Sequence, residues 1–169
     1  LRSHLPPTDP FASYADLLSG PGIEHRQLRG YLVGSLDAVL RLRSADGGYR
    51  YLVVDYKTNW LGDGRSSSEP GGGLSAWHYR PAALAETMSA AHYPLQLLLY
   101  LVALHRYLRW RQPDYDPVRH LGGGLYLFVR GMCGPDTPVV NGTPTGVFAW
   151  SPPAGLVEAL SGLLAGERP

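Results

Sequence analysis

At 169 residues with a formal net charge of +1, the chain has one domain's worth of residues, enough to bury one core but not two. It holds no run of about 18 uninterrupted apolar residues, which argues against a membrane-spanning helix. The single Cys133 excludes an intrachain disulfide, argues against an iron–sulfur centre and fits a reducing compartment.

In chain order, residues 1–25 are Pro-rich and weakly patterned, which predicts a linker or peripheral segment ahead of a domain over 26–169. Residues 31–43 (YLVGSLDAVLRLR) and 49–57 (YRYLVVDYK) are rich in branched, aromatic and alternating residues, and the Asp46-Gly47 pair between them is a hairpin turn signal. If Arg43 pairs with Tyr49, Asp37 falls directly opposite Asp55. Period two then sets Val33, Ser35, Asp37 and Val39 on one face with Val53, Asp55 and Lys57. Leu36, Ala38, Leu40, Leu42, Leu52, Val54 and Tyr56 share the other face and are predicted to form a core layer. A slip of one residue would break this register.

Directly opposed residues on one face have Cβ atoms about 4.5–5.5 Å apart, and like charges there repel. Two carboxylates so placed share a proton or a cation. With Lys57 beside them and no cysteine cluster nearby, a hard divalent cation with oxygen ligands is the natural solution. The alternative is a solvated hairpin whose acids point to water. Lys57 is also the one lysine among 14 arginines. Its ammonium is a compact point charge, whereas guanidinium needs a wide planar slot; a surface lysine kept by chance is the plainer reading.

Residues 63–77 (DGRSSSEPGGGLSAW) form a Gly/Ser loop, either a lid over the hairpin end or an insertion; little in it is apolar enough to dock, which favours an insertion. Residues 81–91 read as a short helix with proline in its first turn, and Pro94 starts a longer one over 94–110 with Leu97, Leu98, Leu101, Leu104 and Leu108 as its apolar surface. Gln96 and Tyr100, four apart, share a helix face. Residues 125–130 read as a third strand and 153–164 as a closing helix. Arg106, Arg109, Arg111, Arg119 and Arg130 outnumber Asp114 and Asp116 within 101–130, and Arg41 and Arg43 lie near the hairpin tip; such patches suit phosphate. The sum is an α/β domain with a mixed central sheet flanked by helices.

Gly34-Ser35-Leu36-Asp37 followed by Val54-Asp55-Tyr56-Lys57-Thr58-Asn59-Trp60-Leu61-Gly62 resembles the PD-(D/E)xK nuclease pattern and, more narrowly, the C-terminal nuclease domain of RecB-type helicase–nucleases. His92-Tyr93, Gln96 with Tyr100, the run from Ala103 through Arg109, Gly122-Gly123 and the run from Leu125 through Gly131 extend the likeness from about residue 29 to about residue 164. The resemblance implies a restriction-endonuclease-like fold. It also implies a Mg²⁺-dependent deoxyribonuclease of the exodeoxyribonuclease V type, with Mn²⁺ a possible substitute, acting in double-strand break repair and recombination.

Residue by residue, the likeness implies that Asp37, Asp55 and the backbone carbonyl of Tyr56 ligate the metal while Lys57 positions the attacking water. Gln96 and Tyr100 would contact DNA or support the site, and Arg106 and Arg109 are further DNA-contact candidates. The implied partners are linear DNA ends and single strands, RecC- and RecD-type subunits and the RecA recombinase, in a bacterial, nucleoid-associated cytoplasmic setting. A docking domain that is catalytically silent in isolation is the alternative. Relatives of this type also supply a histidine and a glutamate from upstream of the matched region, and none of His4, Glu24 or His25 sits in a context that fits a replacement. The chain starts at Leu1 rather than Met, as expected of a piece of a larger polypeptide, and by itself it is expected to cut DNA poorly.

Overall fold

Branched and aromatic alternation builds a mixed four-stranded sheet in the computed structural model, which describes residues 1–20, 30, 33–45, 47–62 and 73–167. Its strands, in spatial order, are β1 (Ala38–Arg43), β2 (Tyr49–Lys57), β3 (Leu121–Phe128) and β6 (Val147–Trp150); β4 (Val139–Val140) and β5 (Thr143–Pro144) make a separate small hairpin. β1 and β3 run antiparallel to β2 and β6 respectively, whereas β2 and β3 are parallel. A parallel pair needs a long crossover, and here it contains α2 (Pro81–Ala90), α3 (Tyr93–Arg111) and the short α4 (Pro117–His120). This is the α/β architecture, mixed sheet flanked by helices, that the sequence predicts.

The hairpin has the predicted register, Arg43 against Tyr49 and Ala38 against Val54. β1 is shorter than predicted: residues 33–37 precede it without strand pairing, and Tyr31 and Leu32 lie outside the described residues. The face predicted to be core is corrected. Of that layer Val54 is buried, but Leu40, Leu42 and Tyr56 are 42%, 49% and 54% exposed, whereas Val53 and Asp55 on the opposite face are buried. Period two tells which residues share a face; it does not tell which face a helix will cover. That choice belongs to β3, where a Cβ on Gly124 would lie 2.4 Å from Leu97 Cδ1. Only glycine lets α3 come down this closely on the face of Val53, Asp55, Tyr126 and Phe128.

α3 buries the predicted Leu97, Leu98, Leu101, Leu104 and Leu108. It begins after a sharp bend of 80° from α2, turned by His92 in the left-handed region and by Pro94 in its first turn. α5 (Ala154–Leu164) packs alongside it, pinned where the Arg106 guanidinium donates to Ser161 Oγ at 3.0 Å and to the Ser161 carbonyl at 2.7 Å.

The first 20 residues, predicted to be a linker or peripheral segment, instead add Leu5, Phe11 and Tyr14 to the core, the last from the short helix α1 (Tyr14–Leu18). Phe11 sits edge-on to Trp150 at 4.7 Å, and the Trp150 indole donates to Asp9 at 3.1 Å. Three anchors spaced irregularly among prolines carry no period, so pattern reading misses them. Of the Gly/Ser loop, 63–72 lie outside the described residues. Its shoulders touch: a Cβ on Gly62 would meet the Gly73 carbonyl oxygen at 1.7 Å. Its far end is docked as a turn over Ala76–Tyr79 with Tyr79 fully buried. Among the described residues no single helix is long and apolar enough to cross a membrane.

Candidate active site

The end of β2 is where polar chemistry enters the core. Asp55 and Lys57, two apart on a strand, project to the same helix-covered face, and Asp55 is 4% exposed. A carboxylate buried this deeply is costly unless paired. Its partner is Lys57, whose Nζ lies 2.6 Å from Asp55 Oδ2. Beyond this ion pair, that oxygen has no hydrogen-bond partner among the described residues.

Lys57 is held from the other side by α3. Nζ donates to Gln96 Oε1 at 3.0 Å and lies 4.0 Å above the centre of the Tyr93 ring and 5.2 Å from that of Tyr126. Gln96 is itself fixed, because its amide nitrogen donates to the Tyr100 hydroxyl at 2.9 Å and its Oε1 also accepts from the Tyr126 hydroxyl at 3.2 Å. The Tyr126 hydroxyl reaches the Tyr93 carbonyl as well, at 3.1 Å, and the two rings stack at 5.6 Å. Burial, and next the Asp55 carboxylate, push the Tyr126 hydroxyl pKa far up, so it stays a neutral donor.

Asp37 immediately precedes β1, and the register continued by one pair sets it opposite Asp55. It is exposed, and its Oδ2 accepts the Tyr56 backbone N–H at 2.9 Å, which fixes the carboxylate at the rim of the cluster. The pair thus straddles the boundary between water and core. Downstream, the segment leaving β2 is tied down by three residues. Tyr79 donates to the Asn59 carbonyl at 2.7 Å, Tyr93 to Asn59 Oδ1 at 3.2 Å, and Arg130 to the Thr58 carbonyl at 2.9 Å.

The fold therefore gathers Asp37, Asp55, Tyr56, Lys57, Gln96 and Tyr100. It does not bring Arg109 to them: that residue lines a separate cavity of about 470 Å³ with His105, Tyr115 and Glu158. Arg106 donates to Ser161 of α5 and also lines the cavity shared by Gln96 and Tyr100. His4 is exposed on the N-terminal turn, and Glu24 and His25 lie outside the described residues. Tyr93 and Tyr126 lie in runs that carry the resemblance, but the sequence assigns neither a role in the cluster. Tyr93 had a signal, since it precedes Gln96 by three on one helix. No period places Tyr126, whose position beside Asp55 follows from the parallel pairing of β2 with β3.

Among the described residues no group of three or more His, Cys, Asp or Glu side chains is placed to hold a metal ion. Two carboxylates, one with a buried oxygen whose partner among the described residues is the Lys57 ammonium alone, still suit Mg²⁺, which uses one or two carboxylates and completes its shell with waters and substrate phosphates. Beside the cluster a cavity of about 500 Å³ opens between Gly34 and Leu36 on one side and Gln96, Leu99, Tyr100 and Ala103 on the other.

No protein-family model matches the chain. It is 58% identical over 164 residues to "RecBCD enzyme subunit RecB" of Mycobacterium tuberculosis (strain ATCC 25618 / H37Rv), an alignment covering 97% of the chain and 14% of that protein. The same-named protein of Mycolicibacterium smegmatis is 56% identical over the whole chain and 15% of its own length. That of Escherichia coli (strain K12) is 39% identical over 86% of the chain and 10% of its length. The chain thus spans about one seventh of the length of the mycobacterial relatives it matches. With this identity maintained from end to end, the chain belongs to the RecB family.

Proposed function

We propose that this chain carries the phosphodiester-cutting centre of a RecB-type subunit, a Mg²⁺-dependent deoxyribonuclease acting on the DNA that the whole protein delivers, in repair and recombination. The observation that carries the reading is the buried Lys57 ammonium, clamped between Asp55 and Gln96 at a strand end that also presents Asp37. Asp37, Asp55 and the Tyr56 carbonyl would hold the cation. When bound, Mg²⁺ or Mn²⁺ offsets charge on the phosphate and lowers the pKa of a coordinated water.

The chain's own residues supply the geometry. Asp37 is set at the rim by the Tyr56 N–H, and Asp55 is set inside by burial. Of the three N–H groups of Lys57, one faces Asp55 and one donates to Gln96, which leaves the third to hold a water or a phosphate oxygen. Hydrolysis then needs the water oxygen to bond phosphorus as the ester P–O bond breaks, with the positive charge of Lys57 beside the developing negative charge. Gln96 cannot rotate away, because Tyr100 and Tyr126 hold both ends of its amide. Lys57 is thereby preorganised before substrate arrives.

The test is made in the full-length parent protein in its complex. Asp37→Ala and Asp55→Ala each abolish DNA degradation and leave unwinding intact; near-normal degradation by either variant removes that residue from the centre. A second reading, a docking domain for RecC- or RecD-type subunits, is favoured by the exposed apolar sheet face of Leu40, Leu42 and Tyr56. Leu40→Glu with Leu42→Glu then weakens assembly, and unchanged assembly discards it.

A further inference from the structure

Helix α3 carries more residues in line with Gln96 and Tyr100 than the clamp on Lys57 uses. Stepping on by four and three from Gln96 gives Tyr100, Ala103, Tyr107 and Trp110, so the five lie in one stripe. The stripe runs about 21 Å from Gln96 to Trp110, at 1.5 Å per residue. Gln96 and Tyr100 are half-buried in the clamp, whereas Tyr107 is 55% and Trp110 76% exposed. Their rings stand 6.3 Å apart, edge to face, and the Arg111 guanidinium lies 5.0 Å from the Trp110 ring centre. Every charged residue of α3 is an arginine (Arg106, Arg109 and Arg111), and no carboxylate occurs in its 19 residues.

The hairpin brings a matching surface to the same end. Tyr51 of β2 donates its hydroxyl to Gln112, the residue that closes α3, at 3.1 Å. The cross-strand partner of Tyr51 is Arg41, whose guanidinium lies 4.6 Å from the centre of the Tyr49 ring, with that of Arg43 at 5.9 Å. By the register, Arg41 and Arg43 share the sheet face of Asp37 and Asp55.

We infer that the α3 stripe is a track for single-stranded nucleic acid, with bases stacking on Tyr107 and Trp110 and phosphates meeting Arg111 and Arg41, in line with the Asp37–Asp55–Lys57 centre. The inference rests on the reading of that centre as a nuclease. Arginine without carboxylates complements a polyanion. Flat rings accept any base because every base has a π-face, as a strand degraded without regard to sequence requires. At a stacked spacing of 3.4 Å the stripe serves at most about six nucleotides.

The experiment measures digestion of short single-stranded oligonucleotides by the full-length protein in its complex. Tyr107→Ala with Trp110→Ala raises KM about 5- to 150-fold, the range of losing one or more stacked bases, with a much smaller change in kcat. Tyr107→Phe with Trp110→Phe, which keeps the π-faces, restores most of the loss. An abasic stretch placed three to six nucleotides from the cut reproduces the KM rise in the wild type and adds little in the alanine variant. Both rings are exposed, so the variants fold, and an unchanged melting temperature verifies it. A wild-type KM in the alanine variant overturns the track, including the case in which that variant instead loses a protein partner. Lys57→Ala separates the two levels. If it abolishes cutting while the alanine variant keeps a wild-type KM, the track alone falls; if it cuts normally, the nuclease reading falls and the track with it.

Discussion

Lys57→Met removes the ammonium and leaves a carboxylate buried beside it. The Asp55 side chain is 6% exposed and that of Lys57 12%, and among the described residues no hydrogen bond to Oδ2 of Asp55 would compensate. Breaking a buried ion pair from one side costs about 3–5 kcal/mol. The slight water access of Lys57 puts the loss near the lower end, about 3 kcal/mol, or a melting temperature lower by about 6–12 °C for a domain of this size. Asp55→Leu combined with Lys57→Met removes both charges and should return to within about 1 kcal/mol of the wild type, because an apolar pair of similar volume is neutral or better. Urea unfolding of the chain at pH 7 in EDTA measures all three proteins. A Lys57→Met loss below about 1 kcal/mol, or a double variant as unstable as the single one, would refute the claim that Asp55 depends on this partner.

Lys57→Arg keeps the charge but should still lower DNA cleavage by the full-length protein on the order of 100-fold, since a planar guanidinium does not fit between Asp55 and Gln96 above the Tyr93 ring; initial rates check this. Gly124→Ala should cost about 1–3 kcal/mol by forcing α3 off the sheet, read as a shift in the urea midpoint. Burial, and then the nearby Arg109, hold the His105 pKa below its ordinary 6.5 despite Glu158. The unfolded chain therefore takes up a proton there before the folded one does. The associated stability is fully present above about pH 6.5 and is lost as pH falls through the lower folded value. Accordingly, His105→Gln should flatten the decline of the urea midpoint on acidification below pH 6.5, and an unchanged slope would contradict that origin.

Local and periodic features were legible in the residues alone. Strand alternation and the Asp-Gly turn specified β2 and the hairpin register, and the proline-opened leucine pattern specified α2 and α3. Asp37, Asp55 and Lys57 could be placed near one another because a hairpin is a local structure whose pairing follows from counting. Gln96 and Tyr100 could be paired because a helix repeats every 3.6 residues. Everything that joins these pieces came from tertiary structure. Leu40 and Leu42 have the same alternating pattern as a buried strand, yet they are exposed because α3 chose the other face, where Gly124 admits it. Phe11 and Tyr14 lie in a segment with no period, and they are core residues because Trp150 and His92, far along the chain, receive them. The contact that turns Lys57 from a charged strand residue into a fixed ammonium spans 39 positions to Gln96 and needs Tyr126 from a strand parallel to its own. Such contacts form by close packing between elements, and periodicity within an element carries no information about them.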